Sequence, residues 1–198
     1  MIKVTNLSET ELREIGLAYA NYIYPADDKG MFPFDDKEML TRYIVGFARS
    51  CMQAGMLYTT SEKHEGYIAI TTPDTRYPFQ SVVTFVREVI GSLGFKRYIW
   101  FVKYIAKGGD NLEAIMRKQK RKYVVVQLLA IPEKYQHQGH MRQMMEFALQ
   151  TAKSCRLPLV IETDEQLKCD KYCHLGVKLV NKRDFGDHRY GYGMICEN

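Results

Sequence analysis

A chain of 198 residues is long enough for one domain with a substantial core and short for two. Its 46% apolar and 26% charged residues suit a soluble globular protein, and no segment approaches the ~20 apolar residues that span a bilayer, so no membrane partner is expected. The net charge of +5 suits an anionic ligand without by itself indicating nucleic acid.

The chain begins MIKVTNLSETEL, with no apolar stretch behind a basic start, so no signal peptide is expected. Five cysteines, odd in number and scattered, argue against a disulfide framework and for a reducing, cytoplasmic setting. Ser8-Glu9-Thr10-Glu11 fits a capping box, and Leu12, Ile15, Leu17 and Ala18 give the following segment a helical stripe. Pro25, Asp27, Asp28 and Gly30 mark a loop. Asp35 and Glu38 restart a helix whose apolar residues run from Met39 to Cys51, and Gly55 ends it. Two short strands follow, at 56–60 and 66–71, joined as a hairpin by the turn at 61–65.

Residues 73–122 are less regular and read as a helical insertion. Pro73 and Pro78 bracket a loop, Val82, Val83, Val86, Val89 and Ile90 look helical up to Gly91, and an aromatic-rich piece at 95–106 closes at Gly108-Gly109. A last helical piece, 112–122, ends in the basic run Arg117-Lys118-Gln119-Lys120-Arg121-Lys122. Residues 123–131 form an apolar run broken only by Gln127, with three consecutive valines, which predicts a strand buried on both faces and ended by Pro132. After a polar loop, Gly139 opens a helix with Met141, Met144, Met145, Ala148 and Leu149 on one stripe. Strand, glycine loop and helix start together make an anion site from main-chain N–H groups. Residues 159–163 read as a second buried strand, 165–175 as a short helix ending at Gly176, and 177–180 with 190–195 as a closing hairpin around Gly186-Asp187.

Three local patterns carry a resemblance. Gln136-His137-Gln138-Gly139-His140-Met141 follows a strand as Gln/Arg-x-x-Gly-x-Gly/Ala does; Pro158-Leu159-Val160-Ile161-Glu162-Thr163 is like the next strand; Tyr172-Cys173-His174-Leu175-Gly176-Val177 is close to Tyr-x-x-Leu-Gly-Phe. In this order, and with the helix-helix-strand-strand start, they resemble the GNAT superfamily of acyl-CoA-dependent N-acetyltransferases. The sequence departs from the pattern at His137, where a second glycine is common, and at Met141, where a small residue is usual. The resemblance implies a single α/β domain over 1–198: a mixed, mostly antiparallel twisted sheet flanked by helices, with the 73–122 insertion between the third and fourth strands.

The resemblance also implies acetyl-CoA as co-substrate, with its pyrophosphate at residues 136–142. The N–H groups of Gln138, Gly139, His140, Met141 and Arg142 would face it, beside Gln136 and His137. A Cβ at Gly139 would crowd the phosphate or the turn. The central strand would splay from the next, leaving main-chain groups near Leu129 and Ile131 free for the pantetheine arm and for polarising the thioester. Tyr172 would return a proton to the leaving thiolate. Glu162 is a candidate base, with Asp164 behind it; the family's acidic position on the central strand corresponds to Gln127, which cannot act as one.

The insertion's aromatics, Tyr77, Phe79, Phe85, Tyr98, Trp100, Phe101 and Tyr104, either wall an acceptor site or pack extra helices onto the sheet. Cys169, Cys173, His174 and Cys155 lack the spacing of a zinc site, and no metal is expected. The basic run at 117–122 is more simply a wet helix end than a nucleic-acid contact. The expected activity is acetyl transfer to a primary amine of a small molecule, by a cytoplasmic monomer or homodimer. A non-catalytic acyl-CoA-binding domain and an acetyltransferase of protein N-termini or lysines stay open beside it.

Overall fold

The computed structural model describes residues 1–24, 29–34 and 36–197. Pro25, Asp27 and Asp28 of the expected loop, and Asp35, lie outside the described residues. A two-residue strand β1 (Ile2–Lys3) precedes helix α1 (Glu9–Ala20). The capping box forms as expected: Glu11 N–H donates to the Ser8 hydroxyl at 3.2 Å, and Ser8 N–H donates to the Glu11 carboxylate at 2.8 Å. Those Ser8 bonds hold the Glu11 carboxyl down at about 2. Helix α2 (Lys37–Gln53) starts on Asp36, whose carboxylate accepts from the N–H groups of Glu38 and Met39. Strands β2 (Leu57–Thr59) and β3 (Tyr67–Thr71) form the first hairpin.

Helices α3 (Phe79–Leu93), α4 (Phe95–Lys107) and α5 (Leu112–Lys118) fill the insertion between β3 and the central strand β4 (Val124–Ala130). The last of them stops short of the expected end at 122. Gln119 caps it, Lys120 turns left-handed at φ 55°, and the remaining basic residues lead into β4. A 3-10 turn (Glu133–Tyr135) then leads to α6 (His140–Cys155), β5 (Leu159–Thr163), α7 (Gln166–Cys173), β6 (Lys178–Gly186) and β7 (Arg189–Cys196). The last hairpin is longer than the sequence pattern indicates, because Gly186, Asp187 and His188 all take positive φ and make a tight turn near its tip.

The seven strands form one sheet in the order β1-β2-β3-β4-β5-β7-β6. Among the described residues, only β4 and β5 run parallel, and every other pair is antiparallel. On one face the fully buried Met144, Met145, Ala148 and Ala152 of α6 pack on Ile68, Val124 and Leu159, with α7 beside them. Burial of each methionine is worth about 1.5–3 kcal/mol. On the other face α1 and α2 cover Leu57, Tyr67, Ala69 and Leu128, and α5 covers Val125 and Val160 through Leu112 and Met116. The insertion helices α3 and α4 lie outside α2, joined to it through Val89, Leu93, Phe101 and Tyr43. This is a mixed, mostly antiparallel sheet between helical layers with the helical insertion before the fourth strand, as expected.

Candidate active site

The central feature is a parting of β4 from β5. Their pairing covers only Val124, Val125 and Val126 against Leu159, Val160 and Ile161. Beyond that, Glu162 and Thr163 pair with β7, while β4 continues along β3. The cause is a β-bulge: Ala69 lies opposite Leu128 but the next residue, Ile70, lies opposite Val126, so Gln127 is an extra residue. It also reverses the alternation along β4. Val124 and Val126 pack with α6, whereas Leu128 and Ala130 pack with α1 and α2. The lone polar residue of the apolar run thus marks where the strand bends away and a wedge opens.

Tyr19, in the last turn of α1, reaches into that wedge. Its hydroxyl donates to the Leu129 carbonyl at 3.0 Å and accepts from the Leu129 N–H at 3.3 Å. The main-chain groups expected to stand free at Leu129 are therefore satisfied by a side chain. The Ile131 carbonyl is likewise taken, by the Gln136 side chain at 3.3 Å. Burial raises the Tyr19 hydroxyl well above its ordinary value, so it stays neutral.

At the mouth of the wedge the chain turns through His137 at φ 62° and Gly139 at φ 86°, both left-handed. A Cβ on Gly139 would meet nothing within 4 Å, so crowding of the turn is not why this residue is glycine; its φ is. His137 holds the same conformation where the family pattern commonly has a second glycine. Gln138 ties the loop by donating to the Lys134 carbonyl at 3.2 Å. Among the described residues, no hydrogen-bond acceptor takes the N–H groups of residues 137–142, since the first helical bond of α6 is Gln143 N–H to the Gly139 carbonyl. These donors and the positive end of a 16-residue helix face outward together. Met141 packs half-buried against the core beneath α6, so its bulk is taken up by the core. The His140 ring sits edge-on to Tyr135 with Nε2 buried and unpartnered, and Arg142 is exposed beside Glu146.

The opposite side of the wedge is a cluster of tyrosines and acids. Tyr172 of α7 is 6% exposed, and burial, followed by the proximity of Tyr19 and Asp164, keeps its hydroxyl protonated. Tyr22 donates to Glu165 and Tyr24 to Asp164. Lys168 pairs with the other Asp164 oxygen at 2.8 Å and lies over the Tyr22 ring at 4.0 Å. Glu165 is 1% exposed, and its second oxygen has no partner among the described residues. A buried carboxylate oxygen left bare is costly unless something cationic arrives to meet it.

Two further carboxylates lie on the other face. Both oxygens of Glu162 are occupied, by the Leu112 N–H at 2.9 Å and by buried Arg183 at 2.8 Å. That places the expected base in a structural link between β5, α5 and β6. Glu113 of α5 stands beside the bulge, 3.4 Å from the Gln127 amide and 3.2 Å from the Tyr123 hydroxyl, and burial raises its carboxyl above the ordinary range. The insertion thus brings a carboxylate to the place where the sequence has only glutamine. Glu165, Tyr19, Tyr22 and Glu113 were not among the residues the sequence pattern singled out. The consecutive acids after β5 were the available signal.

A cleft of ≈ 210 Å³ opens beside Tyr19, Tyr22 and Tyr24, walled further by Phe32, Phe34 and Leu40, with Lys37 and Arg189 at it. Its aromatic wall comes from the segment before α2, and the insertion's Phe101 packs behind Phe34 at 5.0 Å. Trp100 instead stacks on Tyr104 and stays half exposed, and among the described residues no aromatic side chain of the insertion lines this cleft. On α7, Cys169 is buried and Cys173 exposed.

No protein-family model matches the sequence, and no curated protein matches it. Solved structures do. A protein of Pyrococcus horikoshii OT3 aligns over 99% of this chain and 96% of its own at 12% identity, with a TM-score of 0.58. Drosophila melanogaster polyamine N-acetyltransferase, which catalyses formation of N-acetylagmatine, aligns over 98% of both chains at 12% identity and 0.53. A mosquito arylalkylamine N-acetyltransferase (like 5b) does so over 98% of both chains at 11% and 0.51. The likeness spans nearly the whole chain and shows the fold: it is the GNAT fold that the three sequence motifs resemble.

Proposed function

We propose that the protein is an N-acetyltransferase that moves the acetyl group of acetyl-CoA to a primary amine. The observation that carries the reading is the wedge opened by the Gln127 bulge, with the unpaired N–H groups of residues 137–142 at its mouth. A linear thioester with a pyrophosphate fits that arrangement from both ends: anion at the helix start, arm along the open edge of β4. Small-molecule amines are the acceptors we infer. Support comes from the aromatic-lined cleft and from structural neighbours named for polyamine, agmatine and arylalkylamine acetylation.

The proposed chemistry uses groups already placed. Glu165 lies behind Tyr22 of the cleft and takes one proton from the acceptor's ammonium through the Tyr22 hydroxyl, which leaves a neutral nucleophile. The amine nitrogen attacks the thioester carbon while the Leu129 N–H, released by Tyr19, donates to the developing oxyanion. As the carbon–sulfur bond breaks, the Tyr172 hydroxyl protonates the departing thiolate, and the tyrosinate so formed takes the second proton from the nitrogen of the new amide. The five free cysteines fit the cytoplasmic setting in which we place the reaction.

A panel of amines with acetyl-CoA, read by free CoA thiol, tests the proposal. Release with at least one small amine is expected, and Glu165→Gln should cut kcat by roughly 100-fold, within the usual range of a general base. Tight acetyl-CoA binding with no release from any amine would make this a non-catalytic acyl-CoA-binding domain. The blocked Leu129 groups favour that rival reading.

A further inference from the structure

Helices α3 and α4 bury part of their apolar surface against the body and leave a row on each uncovered. On α3, Ser81, Thr84, Val89 and Leu93 are buried. Phe79, Val83 and Val86, spaced four and three apart, with Val82 next to them, continue the stripe of Val89 and Leu93 toward the helix start, beyond the cover that Phe101 of α4 gives it, and Phe79 is 82% exposed. On α4, Phe95, Ile99 and Val102 repeat the spacing, and Phe95 is 65% exposed. Gly94 alone joins the two helices, so the rows lie on adjacent elements. Of the 14 large apolar side chains exposed among the described residues, eight are on this pair. Scattered apolar residues need no explanation, but two aligned rows do.

Charge identifies what covers them. Lys96, Lys103 and Lys107 fall on the row of α4 next to Phe95, Ile99 and Val102, and the helix, FKRYIWFVKYIAK, carries no acidic residue. Among the described residues, no ion pair engages these three lysines. Residues 73–122 hold 11 Lys and Arg against 4 Asp and Glu, a local charge of +7 that exceeds the chain's +5. A symmetric pair of chains meeting on this face would set basic rows near each other with no acid on α4 to answer them. A nucleic acid would leave the apolar rows in water. No helix among the described residues is long and apolar enough to cross a membrane. A basic helix with aromatic and aliphatic side chains beside its cations instead suits the plane of a lipid interface.

We propose that the outer face of α3 and α4 docks peripherally on an anionic bilayer, with Phe79, Phe95, Ile99 and Val102 in the interface and Lys96, Lys103 and Lys107 on the headgroups. The absence of a spanning segment in the sequence does not bear on this, because such helices lie on the membrane and do not cross it. Trp100, the chain's one tryptophan, is half exposed on α4, four residues from Lys96 and three from Lys103, so its fluorescence responds when the lysine row meets headgroups.

The test titrates the full chain with vesicles of phosphatidylcholine and phosphatidylserine, and separately with phosphatidylcholine alone. A blue shift of Trp100 emission is expected with the mixed vesicles only, reversed by salt. Lys96→Gln, Lys103→Gln and Lys107→Gln should each weaken partitioning by roughly fivefold. Phe95→Ser with Val102→Ser should abolish it while circular dichroism and the thermal midpoint stay unchanged. No shift with mixed vesicles, an equal shift with phosphatidylcholine alone, or indifference to the lysine variants would overturn the proposal. A concentration-dependent dimer that Phe95→Ser dissolves would do so too, by assigning the face to a second copy of the chain.

Discussion

Exchange of Gly139 for asparagine and for aspartate isolates the electrostatic part of the proposed donor site. The residue sits at φ 86°, and a Cβ there meets nothing within 4 Å, so both side chains fit. Asn and Asp are the L residues that best tolerate left-handed φ, so both variants should lose a similar ~1 kcal/mol of stability. They differ by one charge in the middle of the N–H cradle. A carboxylate about 5 Å from a phosphate repels it by about 1 kcal/mol in bulk water and about 3 kcal/mol at the effective dielectric of a protein surface. Acetyl-CoA should therefore bind Gly139→Asp roughly fivefold to a few hundredfold more weakly than Gly139→Asn, with the gap closing as salt rises. Calorimetric titration at two ionic strengths reads this directly. Equal affinities for the two variants would remove residues 136–142 from the donor site.

Tyr172→Phe should lower kcat by about 10²-fold and leave acetyl-CoA affinity nearly unchanged, measured by steady-state kinetics beside equilibrium binding; equal turnover would dismiss Tyr172 from the mechanism. Glu113→Gln should stabilise the protein at neutral pH. Burial raises the folded-state carboxyl above 4.5, so the protonated form is the comfortable one, and the charged form costs stability as pH rises through the folded value. The advantage of the variant in denaturant melts should vanish below about pH 4.5. A wild type that is the more stable of the two at pH 7 would contradict the burial argument. Glu11→Gln should do the reverse. Its folded carboxyl lies near 2, held there by Ser8, so its contribution is full above about 4.5 and is lost as pH falls toward 2. The variant should lose about 1 kcal/mol at pH 7 and match the wild type near pH 2.

The hydrophobic periods showed most of this fold in advance, because the elements that matter are long or strongly patterned. Strand β4 and helix α6 follow from a valine run, a proline stop and a methionine stripe. What the pattern missed was short or tertiary. The two residues of β1 have no period, and the end of α5 depends on one left-handed lysine. The bulge was visible only as Gln127 interrupting an apolar run, a signal open to several readings. The acid–tyrosine cluster joins residues 140 or more positions apart, Tyr22 to Glu165 and Tyr24 to Asp164, which no local window contains. Glu162 looked available because its place on the strand at 159–163 is legible in sequence order, while its side-chain partners, Leu112 and Arg183, arrive from the insertion and from β6.

Tyr19 belongs to both halves of the proposed reaction at once, since its ring lines the aromatic cleft while its hydroxyl holds Leu129. An arm that claims the Leu129 groups must evict that hydroxyl, and the cleft beside it then changes shape. Acceptor affinity would thereby depend on whether the donor is already seated. In initial-velocity terms the expected pattern is sequential with acetyl-CoA leading, and Tyr19→Phe, which has no hydroxyl to evict, should let either partner enter first.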